Sequence, residues 1–215
     1  MKSRPDYHFL WRKLHSLTGI IPLGVFLFVH LYINSFALKS VESFDAAAKF
    51  MVSLPYLIAI ELVVIFIPLI YHGIYGLLIT WQSEPNNIPY TWWRNTLYLF
   101  QRITGVIAVI FIIAHVYATT ISIRYIQHTD VSFDFMNKLL SDPLSFVFYV
   151  IGLGSVVYHF ANGIWNFSIN WGIITGRHSQ KVFGWISLFI GLAAFALGVN
   201  ALFAFIGGGI KIFNG

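Results

Sequence analysis

Cysteine is absent from all 215 residues. That excludes a disulfide framework, a thiolate-bound zinc or iron–sulfur centre and a c-type haem attachment within this chain. Charge is nearly as scarce: 10% of residues are Asp, Glu, Lys or Arg, against about a quarter in an ordinary soluble domain. What fills the space is apolar, with 58% hydrophobic residues, 18% aromatics and a mean hydropathy of +0.75. The composition is that of a chain solvated by lipid, and no soluble domain of useful size is left over. Any metal or redox group must therefore be held by nitrogen or oxygen.

The net charge of +5 comes from basic residues in short loops and ends, which bears on orientation in a membrane and gives no reason to invoke nucleic acid. The amino terminus, MKSRPDYHFLWRKLH, lacks the order of basic region, apolar run and small-residue cleavage site found in a signal peptide, so the first apolar segment is expected to stay as a span. Apolar runs of about 20 residues, long enough to cross the hydrocarbon core, occur at 15–37, 55–81, 97–122, 144–169 and 182–207. The polar stretches KSVESFDAAAK, QSEPNNIPYTWWRN, RYIQHTDVSFDFMNKLLSDP and TGRHSQK separate them.

The expected fold is an all-α membrane protein of five helices in one domain covering 1–215. With the amino terminus in the cytoplasm, Lys2, Arg4, Arg12, Lys13, Arg94, Arg102, Arg177 and Lys181 lie inside, against Lys39, Lys49, Arg124, Lys138 and Lys211 outside. Basic residues gather on the cytoplasmic side of membrane proteins, so that orientation is expected, with the carboxyl terminus outside.

An internal repeat organises the histidines. HSLTGIIPLGVFLFVH (15–30) returns as QRITGVIAVIFIIAH (101–115), and YHGIYG (71–76) as YHFANG (158–163). Two related helix pairs result, followed by a fifth helix whose Gly184, Gly191 and Gly198 form a small-residue stripe suited to close packing. The first and third helices run outward, which puts His30 and His115 at one level, about 7 Å outside the midplane at 1.5 Å per residue. The second and fourth run inward, which pairs His72 with His159 roughly 3–6 Å to the cytoplasmic side.

A buried intramembrane histidine can serve as a cross-helix hydrogen-bond partner or as a ligand. Four of them in two depth-matched pairs favour ligation of two b-type haems, one per pair. No carboxylates cluster at the pairs to complete a non-haem coordination sphere. Gly76 and Gly163, at i+4 from His72 and His159, and Gly19 and Gly105, three turns before His30 and His115, are the residues expected to give a porphyrin clearance. His8, His128 and His178 read as solvated, whereas His15 sits where it could cap, snorkel or reach a haem propionate.

Two further groups carry chemistry. Arg12, His15, Ser16, Gln101 and Arg102 cluster at the cytoplasmic ends of the first and third helices and are candidates for haem propionates, although Arg12 and Arg102 equally fit a positive-inside anchor and Ser16 and Gln101 could as easily cap or bridge helices. Glu61 is the one acid inside a span. It lies three turns outward of His72, where it could serve a quinone or a proton path, snorkel to the outer interface or pair with a haem group; Tyr32, Asn34 and Tyr117 are its weaker neighbours. Trp92, Trp93, Trp165 and Trp171 read as an interface belt.

Taken together, LHSLTG with His30, FIPLIYHGIYG with His72, LFQRITG with His115 and YHFANGIWNF with His159 resemble the dihaem cytochrome b anchor of succinate:menaquinone oxidoreductases. This is the single-chain, five-helix type also seen in some quinol:fumarate reductases, and the resemblance covers nearly the whole chain. It implies that the second and fourth helices ligate the haem nearer the dehydrogenase and the first and third the distal one. It also implies a flavoprotein partner with covalent FAD, an iron–sulfur partner, and menaquinone as the electron acceptor in the lipid. Succinate oxidation itself would lie in the partners. A quinol:fumarate reductase running in reverse and a stand-alone haem carrier or transporter are the competing readings.

Overall fold

A computed structural model describes residues 7–84 and 91–209; Lys2, Arg4 and Lys211 of the orientation argument lie outside them. Five helices are long and apolar enough to cross a membrane: α1 (Tyr7–Leu38), α3 (Leu57–Trp81), α4 (Trp93–Ile126), α6 (Pro143–Asn170) and α7 (Arg177–Phe205). Among the described residues there is no strand. The chain is a multi-pass, all-α membrane protein.

Each expected span is present, and α1 and α4 extend well beyond it. YHFLWRK at the start of α1 is polar and aromatic, so hydropathy stops at about residue 15 while the helix continues through Tyr7. At the far end of α4, the run expected to stop at residue 122 continues through Arg124 and stays helical to Ile126. Pro22, which has no N–H to give back to the preceding turn, divides α1 into Tyr7–Ile20 and Pro22–Ser35.

Two short helices occupy stretches that composition marks only as punctuation: α2 (Val41–Val52) and α5 (Phe133–Leu140). Both begin on a serine whose hydroxyl accepts a backbone N–H three residues on, Ser43 N to Ser40 at 3.1 Å and Phe135 N to Ser132 at 3.2 Å, which satisfies an otherwise orphaned donor of the first turn. Asp142 does the same for α6, accepting from Ser145 N at 2.8 Å. That bond holds its exposed carboxyl below the usual carboxylate range.

α2 and α5 lie together over one end of the bundle. Asp45 Oδ1 accepts Phe133 N at 2.7 Å, and beneath the pair Phe44, Met136, Leu140, Tyr149, Leu202 and Phe205 form the best-buried apolar cluster. This is the capped face; the start of α1 marks the opposite, amino-terminal face.

Between the faces, α1, α3, α4 and α6 form a ring in which α1 meets α3 and α6, and α4 meets α3 and α6. α7 stands outside it, packed on α6 and the upper half of α1. Its glycines are the contact: a Cβ on Gly191 would come within 2.7 Å of Ala161, and one on Gly198 within 2.7 Å of Leu153. The outward surfaces of the ring carry Val25, Val63, Ile70, Ile74, Ile110 and Ile113. Such a girdle suits hydrocarbon, where helices satisfy their own backbone groups.

Candidate functional site: two imidazole pairs inside the bundle

The ring of four helices brings the expected histidines together in the expected couples. His30 of α1 faces His115 of α4 with ring centroids 5.7 Å apart, and His72 of α3 faces His159 of α6 at 6.0 Å. Both pairs cross nearly at right angles, 79° and 89°. Two imidazoles on opposite sides of one metal atom need centroids about 6 Å apart, given about 2 Å per metal–nitrogen bond and about 1 Å from each nitrogen to its ring centre. Among the described residues no group of three or more His, Asp or Glu side chains could chelate an ion. Each pair thus presents two opposed imidazoles at a spacing that one metal atom could bridge.

The His72–His159 pair is held by backbone. His72 Nδ1 lies 2.9 Å from the carbonyl of His15, and His159 Nδ1 lies 2.9 Å from the carbonyl of Gln101. A carbonyl only accepts, so Nδ1 carries the proton in both rings and Nε2 is the free lone pair. Such an outer partner fixes tautomer and orientation and makes the ring a stronger donor.

The glycines of the repeat account for the fit. A Cβ on Gly19 would sit 2.5 Å from His72 Cε1, and one on Gly105 2.9 Å from His159 Cε1. These two glycines stand at the depth of the His72–His159 pair, and what they clear is the imidazole itself. Gly76 faces the ring of His15 at 3.0 Å, while Gly163 makes an ordinary 3.7 Å contact with Gln101.

His15 and Gln101 therefore occupy equivalent places, and the two halves differ there. The His15 ring stacks on His72 at 4.0 Å and 12°. Gln101 instead donates to the His159 carbonyl at 3.0 Å and accepts from Asn162 at 2.8 Å. The His30–His115 pair has different support: His115 Nδ1 lies 3.3 Å from the Tyr149 hydroxyl, and Phe111 stacks on His115 while Phe26 lies against His30.

Towards the amino-terminal face, His15 Nδ1 and Arg102 Nε and Nη2 are buried without a hydrogen-bond partner, and the Arg102 guanidinium rests on the Tyr98 ring at 4.4 Å. A buried guanidinium calls for an anion, so Arg102 fits a carboxylate-bearing ligand at the neighbouring imidazole pair. Ser16 is engaged, donating to Lys13 O and accepting from Trp171 Nε1 at 3.0 Å. Arg12 is exposed. Trp165 departs from the interface-belt reading: it is 7% exposed, donates to Gln180 O and packs on Gly184.

Near the capped face, Glu61 forms an ion pair with Arg124, Nη1 to Oε1 at 2.6 Å, and its Oε2 is buried without a partner. Both residues lie in π-helical stretches, Glu61–Phe66 of α3 and Tyr117–Ile126 of α4, a distortion frequent at functional sites. In the sequence Arg124 reads as a loop cation, because the polar run around it hides the helix. Of the weaker neighbours, Asn34 donates to His30 O at 2.8 Å, and Tyr32 and Tyr117 are exposed.

Residues 87–198 match the family described as succinate dehydrogenase/fumarate reductase transmembrane subunit. The chain is also 42% identical over 198 residues to the succinate dehydrogenase cytochrome b558 subunit of Bacillus subtilis (strain 168), an alignment covering 92% of this chain and 97% of that one. The chain belongs to the succinate dehydrogenase/fumarate reductase transmembrane subunit family. Within this transmembrane-subunit chain, the family match takes in α4, α6 and His115 and His159; the full-length likeness to the Bacillus protein extends over most of the remainder.

Proposed function

We propose that this protein is the membrane-anchor cytochrome b subunit of a succinate dehydrogenase, carrying electrons from an iron–sulfur subunit through two b haems to menaquinone. The observation that carries the reading is the pair of opposed imidazole couples inside a four-helix ring, in a chain 42% identical to a succinate dehydrogenase cytochrome b558 subunit.

His72 and His159 would bind the proximal haem and His30 and His115 the distal one, each through Nε2. Bound haem iron supplies reversible one-electron transfer at a potential that its ligands, burial and nearby charge adjust. The chain's part is to fix the ligands and to screen charge. The carbonyls of His15 and Gln101 orient the proximal rings. Arg102 and His15, whose buried nitrogens lack a partner, would hold the propionates, with Ser16, Gln101 and Arg12 as further candidates. Gly19 and Gly105 give the proximal rings their clearance.

Quinone reduction requires a proton at each quinone oxygen as electrons arrive. Glu61, with one oxygen held by Arg124 and the other free, is suited to donate and recover that proton beside the distal pair. The amino-terminal face would lie in the cytoplasm, dock the iron–sulfur and FAD-bearing subunits, and leave the capped face outside.

The test is purification through a tag on this chain. The reading expects a flavoprotein and an iron–sulfur protein to co-purify and succinate to reduce both a b-type α-band and a menaquinone analogue. Haem without those partners would favour a stand-alone carrier. Because the family description names fumarate reductase as well, assaying quinol-driven fumarate reduction on the same preparation distinguishes direction.

A further inference from the structure

The two halves of the bundle repeat a local device that the ligand assignment does not require. In a helix, the carbonyl of residue i lies under the side chains at i+3 and i+4, from which a Ser or Thr can bond back; Thr18 and Thr104 do so from i+3 to His15 O at 2.9 Å and Gln101 O at 3.3 Å, which leaves the i+4 side as the second approach. His15 and Gly19 are i and i+4 on α1; Gln101 and Gly105 are i and i+4 on α4. In each case an imidazole from the adjacent helix lies over the glycine, Cε1 nearest, and its Nδ1 meets the carbonyl at 2.9 Å. Any Cβ there would stand 2.5 Å or 2.9 Å from Cε1 and push the ring off the acceptor. The His30–His115 pair has no such cradle; a phenol oxygen 3.3 Å from His115 Nδ1 takes its place.

We propose that Gly19 and Gly105 are positioning residues that set the electron-donor strength of the proximal pair, by letting His72 and His159 each give Nδ1–H to a main-chain carbonyl. The proposal rests on the dihaem reading. A ring that donates its Nδ1 proton to a good acceptor is a more basic ligand and stabilises the oxidised metal, so the cradle holds the proximal potential down. Losing it at either position raises that potential while the distal haem stays where it was.

The experiment uses the intact complex carrying Gly19→Ala or Gly105→Ala. Gly73→Ala serves as control, since its Cβ would meet only Val109 at an ordinary 3.7 Å, and Tyr149→Phe marks the distal signal. Potentiometric titration and low-temperature EPR should show, in either alanine variant, an upward-shifted proximal potential with a moved low-spin line, or loss of one haem of two. The distal signal and Gly73→Ala should match wild type. Two haems with unaltered potentials and lines in both variants would overturn the cradle and leave the dihaem reading standing, whereas a haem-free wild type would overturn the latter.

A second measurement covers variants that fail to assemble. Redox-difference infrared spectra of the wild-type complex, with histidine labelled at Nδ1 and the haems poised one at a time, should show a hydrogen-bonded Nδ1–H at the proximal step. Deprotonated or unbonded Nδ1 at that step contradicts the proposal.

Discussion

A few side chains carry most of what this protein is proposed to do, and several can be tried singly. Glu61→Gln keeps the shape and the hydrogen bond to Arg124 but removes the acid; quinone reduction should fall about 100-fold, the lower range for a lost general acid. The haem spectra should be unchanged, as read by steady-state turnover and optical titration. Tyr149→Phe removes the phenol beside His115 Nδ1 and should move only the distal potential. Arg102→Gln, which strips a buried cation of its charge, should lower the proximal potential, because the positive charge favours the electron-rich reduced state; a titration resolving the two haems reads it.

The four histidines were legible in the sequence because an ionisable group inside a lipid-facing run is rare and because the repeat pairs them. Gly19 and Gly105 were legible by spacing, but what they clear was not: that depends on the angle at which α3 and α6 present their rings. Arg124 stayed hidden, since nothing in one sequence ties a cation after the third apolar run to an acid early in the second.

At the scale of elements, hydropathy found every span and missed everything that is helical without being apolar. α2 and α5 have their own start signals, Ser40 and Ser132, each followed by an acid at the second helical position, Glu42 and Asp134. Only part of their apolar surface, Phe44, Met136 and Leu140, packs on the bundle end, and the polar residues between keep a membrane window from finding them. Ser132→Ala should cost about 1 kcal/mol through the lost cap, seen as a lower melting temperature with both haems retained. The stripe on α7 is a packing surface. Gly191→Leu, which cannot fit against Ala161 and Val157, should lower detergent stability far more than Gly191→Ala, measured by the same melt.

At the scale of the whole molecule, a repeated helix pair makes a ring with one imidazole couple toward each face, and asymmetric ends make it directional. The capped end is closed by α2 and α5, while the other displays Trp11, Trp92 and Trp93 and holds Arg102 beneath them with Nε and Nη2 unpartnered. The proposed orientation puts that second end in the cytoplasm, and reporter fusions at the two termini should place the amino terminus inside and the carboxyl terminus outside.

Two haems, each held by one specific histidine couple, are the core of the proposed function. Pyridine haemochrome quantitation per chain on the purified complex, in wild type and in His30→Ala, His72→Ala, His115→Ala and His159→Ala, tests it directly. The prediction is two haems in wild type, with His30 and His115 variants losing one species and His72 and His159 variants losing the other. A single haem, or variants within one couple that lose different species, would contradict it.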